Sequence, residues 1–533
     1  MKKSPSYILL SILPVFMLIY SLILRNAEGP FYLNTVYDPC YVYLISSLNL
    51  AQFTSPVHFD HPGTPVQFIG AVVLKLTHLI SGRSSDISGD VLSDPELYLG
   101  YIQFALVLFN CLILYLSAQI IYKATRNLPA ALLIQLSPFL SYTVSYELSV
   151  VSAENFLISV IMLFIAYLIK YNSDSEPENG SNYILIFSLI CGLGLATKIT
   201  FFPLLLIPLI LLKGITKKIR FAFFTLISFL IFILPGIKNI SYFITWVKSL
   251  FIYDELYGKG NPDIINPSAF FVNIKEIFTD EIVFTVIYII ILFTLVSVYF
   301  LKQREVKITS GRWYRLLLSV FVSMTLQVVI VSKHYSGHYM VPALMLSATG
   351  LYICLKLLSE SFPLFITGHK IKYVYAVLIF IFAAYIITGA YYNSKELVSY
   401  RQEAVNTNEF IDKSKVDKIL VSSYGSSSKA YALAFSTTWA GSNKEKYMSI
   451  INKLHPDNLY FEFWRSDIFS MSGKENLNEL IRNHDKILFQ NNDEASNELL
   501  LKDLKTNYNF NDCAVSKVYS SLYGENVYEI TLR

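Results

Sequence analysis

The sequence predicts a polytopic α-helical membrane protein with a small soluble α/β domain at its carboxyl end. Of its 533 residues, 54% are hydrophobic and only 15% are charged, whereas soluble domains carry about 25% charged residues. Apolar runs close to the roughly 20 residues that a membrane-spanning helix needs recur along most of the chain. From about Asn393 onward, charged residues become frequent and short strand-like runs replace the long apolar ones.

Charge and cysteine content exclude several classes of protein. The formal net charge of +4 is small for this length and gives no support to nucleic-acid binding. The five cysteines are scattered without a paired spacing, which argues against a disulfide framework or a zinc knuckle. Cys40 and Cys513 lie outside the predicted spans, so a disulfide between them is compatible with the topology but has no other support.

The amino-terminal segment, residues 1–24, begins with a basic stretch and continues as an apolar run. Because it lacks a convincing small-x-small cleavage site, we interpret it as an uncleaved first span that enters from the cytoplasm. The next stretch, residues 25–96, is predicted to be one large outer loop. Its two apolar pieces, 40–53 and 65–80, are short for spanning, so we expect both to be juxtamembrane helices.

Basic residues set the orientation of the remaining spans. The stretches KGITKKIR at 213–220 and KQREVKITSGRWYR at 302–315 are the clearest basic loops, and such loops stay in the cytoplasm under the positive-inside rule. Alternation from these two loops gives about eleven spans. They are predicted at 1–24, 97–122, 128–144, 149–169, 183–197, 201–212, 221–236, 282–301, 316–331, 339–357 and 373–391.

We divide the chain into a transmembrane domain at 1–392 and a soluble domain at 393–533. The soluble part contains the strand-like runs KILVSS, KILFQ and VYEITL, which alternate with helical stretches such as ENLNELIRN, and this predicts a small α/β fold. An odd number of spans that starts in the cytoplasm leaves this domain extracytoplasmic. No internal repeat is evident, which counts against transporter folds built from related halves.

Ionisable residues in or next to the spans gather on one side of the predicted topology. Such residues are costly in a membrane unless they are paired or reach water, and a cluster of them indicates a functional site. Acids serve as general bases, and lysine and histidine stabilise a phosphate leaving group, so this set suits glycosyl transfer from a lipid phosphate. The residues on or near the outer face are Asp38, Asp60, His61, Glu147, Glu154, Lys198, Lys333, His334 and His338.

Several of these residues stand in short motifs whose order matches a known family. Asp38 follows the first span, and the HPGTP of 61–65 lies between the two predicted juxtamembrane helices. Glu154 in SAENFLI starts the fourth span, Lys198 in GLGLATKIT ends the fifth, and His338 in SGHYMVPAL precedes a Pro-containing span. The layout resembles the GT-C superfamily of polyprenyl-phosphate-sugar-dependent glycosyltransferases, which includes the protein O-mannosyltransferases and the lipid A aminoarabinose transferase.

The resemblance covers the membrane part and implies a GT-C-like fold and an inverting hexosyl- or pentosyltransferase. It implies that Asp38 is the general base and that Glu154 supports the site. The sequence departs from the family pattern in two places. Pro39 follows Asp38 where members often have a second acid, which makes Asp60 a rival for the base. His338 takes the place of an arginine, and a histidine is only partly charged near neutral pH.

The acids also have structural interpretations. Asp38 precedes a proline at the start of a helical stretch, so it is also a candidate N-cap. Asp60 could end a turn and orient His61. Glu154 interrupts an apolar span, where an unpaired acid is expensive, and Glu147, two turns earlier, lies either on the same face or at the membrane surface. We predict catalytic roles for Asp38, Asp60 and Glu154, with the first two competing for one role.

The basic residues likewise have two interpretations each. Lys198 either binds phosphate or extends its ammonium to the surface, but a lone lysine at an outer helix end goes against the positive-inside trend. Lys333 either joins the site or is a flanking charge. His334 and His338 could bind a divalent metal if their segment is helical, although the intervening Ser-Gly favours a turn. No cofactor is certain, and a divalent metal stays an open alternative. Substrate binding is assigned to His61, Glu147, Lys198, Lys333, His334 and His338.

The sequence therefore predicts a multi-pass enzyme of the cytoplasmic (inner) membrane whose active site faces the periplasmic or extracellular side. It would transfer a sugar from a polyprenyl-phosphate donor to a glycan, lipid or protein acceptor, and its partners would be these substrates and membrane lipid. A lipid-linked glycan transporter or flippase is the main alternative, although a transporter should carry charge reachable from both faces. An envelope-assembly scaffold is a weaker alternative, because anchoring needs far fewer spans.

Overall fold

The computed structural model describes residues 5–81, 86–175, 182–253, 262, 265–303, 311–361, 370–415, 418–456, 458–462, 466–472, 477, 479–481, 483–510 and 512–532. The chain divides into two compact units. The membrane unit comprises Met1–Leu22, Phe59–Val66 and Phe104–Tyr391, and the sheet unit comprises Ile23–His58, Gln67–Gln103 and Tyr392–Arg533. The sheet unit thus groups most of the predicted first loop with the carboxyl-terminal residues, and the division at 392 stays a prediction. Much of the second predicted basic loop, 304–310, lies outside the described residues.

Most of the described chain is helical, as the fold class predicts. Among the described residues, seven helices are long and apolar enough to cross a membrane, and two bent helix pairs raise this number to nine. Asn182–Thr197 and Ile199–Leu211 are shorter apolar helices at the places of the fifth and sixth predicted spans, so the number of about eleven stays a prediction. The seven are Ser6–Glu28, Pro95–Thr125, Ala153–Ser173, Ile282–Leu301, Gly311–Val331, Gly337–Glu360 and Lys370–Ser414, and the bent pairs are Leu128–Phe139 with Tyr142–Ser149 and Ile215–Phe232 with Leu234–Ile252.

Both bent pairs break near a proline. The pair that starts at Leu128 bends by 75°, and Pro138 stands in the short 3-10 turn at its break. The pair that starts at Ile215 bends by 86°, and Pro235 is the second residue of the 3-10 helix Leu234–Asn239 that follows the break. Proline removes a backbone donor and clashes with the preceding helical turn, which explains why these spans are not straight.

Helices of very different length alternate along the described chain, from single turns to the long helix that ends at Ser414. The α-helices are Pro5–Leu9, Ile12–Glu28, Tyr37–Ala51, Thr64–Ser81, Ile87–Ser93, Pro95–Thr125, Leu128–Gln135, Tyr142–Tyr146, Ala153–Ser173, Asn182–Thr197, Leu206–Leu211, Ile215–Phe232, Ile240–Ile252, Pro267–Asp280, Ile282–Gln303, Gly311–Val331, Val341–Met345, Ser347–Ser361, Lys370–Ser414, Lys429–Ser436, Lys444–Leu454 and Ala495–Tyr508. The 3-10 helices are Ser137–Phe139, Glu147–Ser149, Ile199–Leu205, Leu234–Asn239, Gly337–Met340, Thr437–Trp439 and Gly441–Asn443.

The helix Ala153–Ser173 is buried along nearly its whole length. It packs against Asn182–Thr197, which in turn packs closely on Ile215–Phe232. A Cβ atom on Gly192 would lie 2.4 Å from Cβ of Ser228, so only glycine allows these two helices to approach so far. Protein atoms therefore surround the start of Ala153–Ser173, where polar side chains would be costly in lipid.

The carboxyl-terminal part of the sheet unit forms a mixed six-stranded sheet, which confirms the predicted α/β fold. Its strands lie in the order β3-β2-β1-β4-β6-β5, and β1 runs parallel to β2 and β4 while the other pairs are antiparallel. The runs KILVSS, KILFQ and VYEITL contribute β1, β4 and β6 as predicted. The predicted helix ENLNELIRN falls partly outside the described residues. The strands are β1 Ile419–Ser422, β2 Leu459–Glu462, β3 Asp467–Ser470, β4 Lys486–Asn491, β5 Ala514–Ser520 and β6 Asn526–Thr531.

The central strand β1 has a parallel neighbour on each side. The chain leaves β1 toward β2 and returns to the opposite side of β1 to form β4. Such a reversal of direction opens a crevice at the carboxyl ends of the parallel strands. The loop that follows β1, residues 423–428, lies at this position.

Candidate active site

Ser152 is the N-cap of the helix Ala153–Ser173. Ser152 has extended backbone angles (φ −138°, ψ 166°), and its hydroxyl oxygen accepts a hydrogen bond from the N–H of Asn155 at 3.1 Å. The same hydroxyl donates to Oε2 of the buried Glu147 at 2.5 Å. Glu154 therefore stands in the first helical turn, where the helix dipole favours a negative charge.

The end of the helix Asn182–Thr197 supplies the partner of Glu154. Lys198 follows this helix with extended backbone angles (φ −158°, ψ 136°), and Phe201 folds back onto Gly194, where a Cβ atom would lie 2.6 Å from its ring. The Lys198 ammonium forms an ion pair with the Glu154 carboxylate, and each side chain is only 4% exposed. Each buried charge is compensated by the other. Removing one partner would leave an unpaired buried charge, which is strongly destabilising.

His338 lies on the more exposed side of this ion pair. Its Nε2 is 3.8 Å from Oε1 of Glu154, and its side chain is 40% exposed. Its Nδ1 is 2.9 Å from Oγ of Ser336. The ring of the next residue, Tyr339, has its centroid 5.0 Å from the Lys198 ammonium, which is within the range of cation–π attraction. The short 3-10 helix Gly337–Met340 thus places the His338 imidazole near Glu154 and the Tyr339 ring near Lys198.

Asp60 and His61 belong to a short segment of the membrane unit. Phe59 anchors this segment, because its ring occupies the space beside Gly236, where a Cβ atom would lie only 2.3 Å away. The imidazole Nδ1 of His61 is 3.8 Å from Oδ2 of Asp60. His61 is also close enough to interact electrostatically with Glu154. The segment therefore adds a second imidazole to the surroundings of the buried acid.

We call Glu154, Lys198 and His338 the ion cluster. Three separate segments supply them, and the sequence placed all three near one face of the membrane. The acid and the lysine are buried and carry no net charge together, so the half-exposed His338 imidazole is the member of the cluster that an approaching phosphate would meet first. The imidazole and the ammonium suit hydrogen bonding to phosphate oxygens and the stabilisation of charge on them.

Lys333 and His334 have different neighbours. The Lys333 ammonium donates to the carbonyl oxygens of Leu250 and Phe251 at 2.7 and 2.8 Å, and Nε2 of His334 is 3.1 Å from the Leu250 oxygen. These carbonyls end the helix Ile240–Ile252, where positive charge is favourable. The phosphate role predicted for these two residues stays a prediction, and in this structure both support a helix end.

The segment that joins His334 to His338 is irregular at 335–336 and then enters the short 3-10 helix Gly337–Met340, so it is not an α-helix. The two imidazoles therefore do not share a helical face, and the argument for a metal site from their spacing does not apply. Ser336 has extended backbone angles (φ −146°, ψ 133°) and Gly337 begins the 3-10 helix, so the Ser-Gly pair does not continue the preceding α-helix.

Asp38 belongs to the sheet unit. It has extended backbone angles (φ −102°, ψ 104°) at the start of the helix Tyr37–Ala51 and is half-buried. Its Oδ2 accepts a hydrogen bond from the Tyr424 hydroxyl at 3.3 Å. Extended angles at a helix start agree with an N-cap, while partial exposure agrees with a general base, which has to reach its substrate. Both interpretations of Asp38 remain open.

Sequence reasoning overlooked two aromatic residues that contact the predicted ones. Tyr339 stands inside SGHYMVPAL, so its position next to His338 was a usable signal. Tyr424 is 386 residues from Asp38, and the only local signal is the unusual run of small polar residues around it, SSYGSSSK at 422–429. Distant pairing of this kind needs the tertiary structure.

No protein-family model and no curated protein matches the sequence. Among solved structures, the chain is similar to ArnT from Cupriavidus metallidurans bound to undecaprenyl phosphate, with a TM-score of 0.50 and 12% sequence identity over 98% of this chain and 97% of that chain. The chain has the fold of this ArnT structure. The fold predicted from the order of the motifs is thereby confirmed, and at this identity the similarity concerns the fold alone.

Two further solved structures are less similar to this chain. The apo state of the same ArnT has a TM-score of 0.47 and 11% identity over 97% of both chains. The Archaeoglobus fulgidus oligosaccharyltransferase in complex with zinc and sulfate has a TM-score of 0.44 and 11% identity over 90% of this chain and 68% of that chain.

Proposed function

We propose that this protein is a membrane glycosyltransferase of the GT-C type that moves a sugar from a polyprenyl-phosphate donor to an acceptor on the outer face of the cytoplasmic membrane. The observation that carries the proposal is the ion cluster, in which a buried acid, a buried lysine and a half-exposed histidine meet at the start of a buried helix. ArnT was solved with undecaprenyl phosphate bound, and the proposed donor is a sugar linked to a lipid phosphate of this class, which leaves as the free lipid phosphate.

The reaction breaks the bond between the anomeric carbon of the sugar and an oxygen of the lipid phosphate. The bonding electrons stay on that oxygen, so negative charge develops on the phosphate in the transition state. In the proposal, the Lys198 ammonium and the imidazoles of His338 and His61 stabilise this charge, which is a contribution that grows as the bond breaks. Glu154 holds the lysine in place, and the polyprenyl phosphate leaves.

The acceptor hydroxyl would attack the anomeric carbon from the face opposite the phosphate, which inverts the configuration. It loses its proton to a carboxylate, and Asp38 is our candidate for this general base. Asp60, next to His61, is the rival. The kind of sugar and the kind of acceptor, whether glycan, lipid or protein, stay open in this proposal.

The proposal is tested with purified protein, radiolabelled polyprenyl-phosphate sugars and candidate acceptors. We expect wild-type protein to transfer label and Asp38→Asn to lose at least about 100-fold in kcat, because a positioned general base typically contributes 10²–10⁴-fold. Asp60→Asn is the comparison. If Asp38→Asn retains full activity while Asp60→Asn abolishes it, the base is Asp60.

The flippase alternative makes a different prediction in the same preparation. A flippase in vesicles would move the lipid-linked donor between leaflets and release no sugar to any acceptor. Translocation without transfer for every donor tried would overturn the glycosyltransferase proposal.

A further inference from the structure

The loop that follows β1, residues 423–428, is held by a buried acid from the far end of the chain, and we call it the serine loop. Oε1 of Glu525 accepts a hydrogen bond from the N–H of Ser427 at 2.7 Å, and Oε2 accepts one from the Ser427 hydroxyl at 2.9 Å. The side-chain amide of Gln490 on β4 donates to the same carboxylate at 2.7 Å. The Glu525 carboxylate thus accepts hydrogen bonds from both the backbone N–H and the hydroxyl of Ser427.

Backbone geometry fixes the middle of the serine loop. Gly425 has a φ of +84°, which residues with a Cβ atom rarely adopt. A Cβ atom there would also lie 1.9 Å from the side chain of Asn492, so any larger residue would clash. Ser428 ends the loop as an N-cap, because its hydroxyl oxygen accepts a hydrogen bond from the N–H of Tyr431 at 3.2 Å. The loop therefore presents a defined set of groups.

Two residues just after the first span form hydrogen bonds with the serine loop. The N–H of Gly425 donates to the Tyr37 hydroxyl at 2.7 Å, and the N–H of Asn34 donates to the Ser427 hydroxyl at 3.0 Å. The Tyr37 ring packs edge-on against Phe435 with 5.4 Å between the ring centroids, and its side chain is fully buried. The residue that precedes Asp38 is therefore held by the serine loop and by the helix Lys429–Ser436 that follows it.

Tyr424 connects the serine loop to the acid itself. Its hydroxyl donates to Oδ2 of Asp38 at 3.3 Å, and its ring lies edge-on to that of Tyr37 at 5.9 Å. A donor on one carboxylate oxygen sets the orientation of the carboxylate and favours its charged form. A general base has to be charged and correctly oriented before it can accept a proton.

We propose that Tyr424 is a positioning residue for Asp38, so that the carboxyl-terminal sheet is a working part of the transfer reaction and not a separate acceptor-binding module. The proposal rests on the proposed function, in which Asp38 is the general base. Tyr424 touches neither sugar nor phosphate in this role. It acts by holding the carboxylate that does.

Kinetics provide the first test, with Tyr424→Phe compared with Tyr460→Phe. The first variant removes the hydroxyl and keeps the ring. The second removes a buried hydroxyl that has no hydrogen-bond partner among the described residues. We expect Tyr424→Phe to lower kcat on the order of 10-fold, the effect of losing one hydrogen bond to a charged group, with the KM for donor and the thermal unfolding temperature unchanged. Tyr460→Phe should match wild type.

A second measurement does not depend on activity. A water-soluble carbodiimide with an amine labels carboxyl groups, and peptide mass spectrometry quantifies the label on Asp38 in the full-length protein. We expect several-fold faster labelling of Asp38 in Tyr424→Phe than in wild type or Tyr460→Phe, because the carboxyl loses the hydrogen bond with which the Tyr424 hydroxyl restrains it.

The outcomes separate the two proposals. Unchanged labelling of Asp38, or an unchanged kcat in Tyr424→Phe, overturns the positioning role. Faster labelling in a protein whose wild type transfers no sugar from any donor supports the contact between Tyr424 and the acid and overturns the proposed function instead. A fall in kcat that only accompanies a lower unfolding temperature assigns Tyr424 to stability and also overturns the proposal.

Discussion

Lys198 and Lys356 are two lysines of the membrane unit whose ion pairs differ in burial. Lys198 and Glu154 are each 4% exposed, whereas Lys356 and Glu360 form an i,i+4 pair whose side chains are 30% and 25% exposed. Water screens the second pair, and such pairs contribute about 0–1 kcal/mol. The first pair has no such screening, so the loss of one partner leaves a charge without compensation.

Lys198→Gln should therefore lower the free energy of unfolding by about 3–5 kcal/mol, because the Glu154 carboxylate stays buried without its cation. The double variant Glu154→Gln with Lys198→Gln removes both charges and should recover most of that loss. Neither variant should bind polyprenyl phosphate. Thermal unfolding in detergent and equilibrium binding of polyprenyl phosphate measure the two effects.

Lys356→Gln is the control for this residue-scale prediction. It should change the unfolding temperature little and leave polyprenyl-phosphate binding at the wild-type level. A double variant that binds the lipid phosphate as wild type does would show that Lys198 serves the fold and not the donor.

At the scale of elements, the position of Lys198 depends on how its helix packs. Asn182–Thr197 lies so close to Ile215–Phe232 that a Cβ atom on Gly192 would come within 2.6 Å of the backbone nitrogen of Phe229. A backbone atom cannot move aside as the tip of a flexible side chain can. The helix pair would therefore have to separate to admit even one methyl group.

Gly192→Ala is expected to destabilise the protein by about 1–3 kcal/mol through this overpacking. Gly100→Ala is the matched control, since Gly100 also lies inside a helix and a Cβ atom there would meet nothing within 4 Å. Alanine is the better helix former, so this control should be neutral or more stable by about 0.5–1 kcal/mol. Equal unfolding temperatures for the two variants would contradict the packing argument.

At the scale of the whole molecule, the two units have separable tasks in the proposed reaction. The membrane unit contains the ion cluster that would bind the lipid phosphate. The sheet unit contains Asp38 and, from the other end of the sequence, the serine loop that holds it. A change in the serine loop should therefore impair transfer without impairing donor binding.

Gly425→Ala tests this separation. It strains the loop at a φ of +84° and displaces the side chain of Asn492, so the hydrogen bonds to Tyr37 and Asp38 should weaken. We expect a fall in kcat of at least about 10-fold, with unchanged binding of polyprenyl phosphate. Gly214→Ala is the control, because Gly214 also has a φ of +84° but open space around it, and it lies outside the serine loop and its contacts. Loss of lipid-phosphate binding in Gly425→Ala would contradict the separation of tasks.

Features that depend on local composition and spacing are predictable from the sequence. Apolar length predicts the membrane helices, and short strand-like runs predict β1, β4 and β6, because each pattern acts within one element. The expense of ionisable groups in apolar sequence singled out Glu154 and Lys198, and the order of the motifs indicated the GT-C fold.

The tertiary structure sets which of these groups meet. It paired Glu154 with Lys198, assigned Lys333 to the end of another helix, bent two spans near prolines, and joined Asp38 to Tyr424 across 386 residues. These outcomes depend on how helices rotate against one another and on the order of strands in the sheet. Both are set by packing between elements that are far apart in the chain, so no local pattern in the sequence carries them.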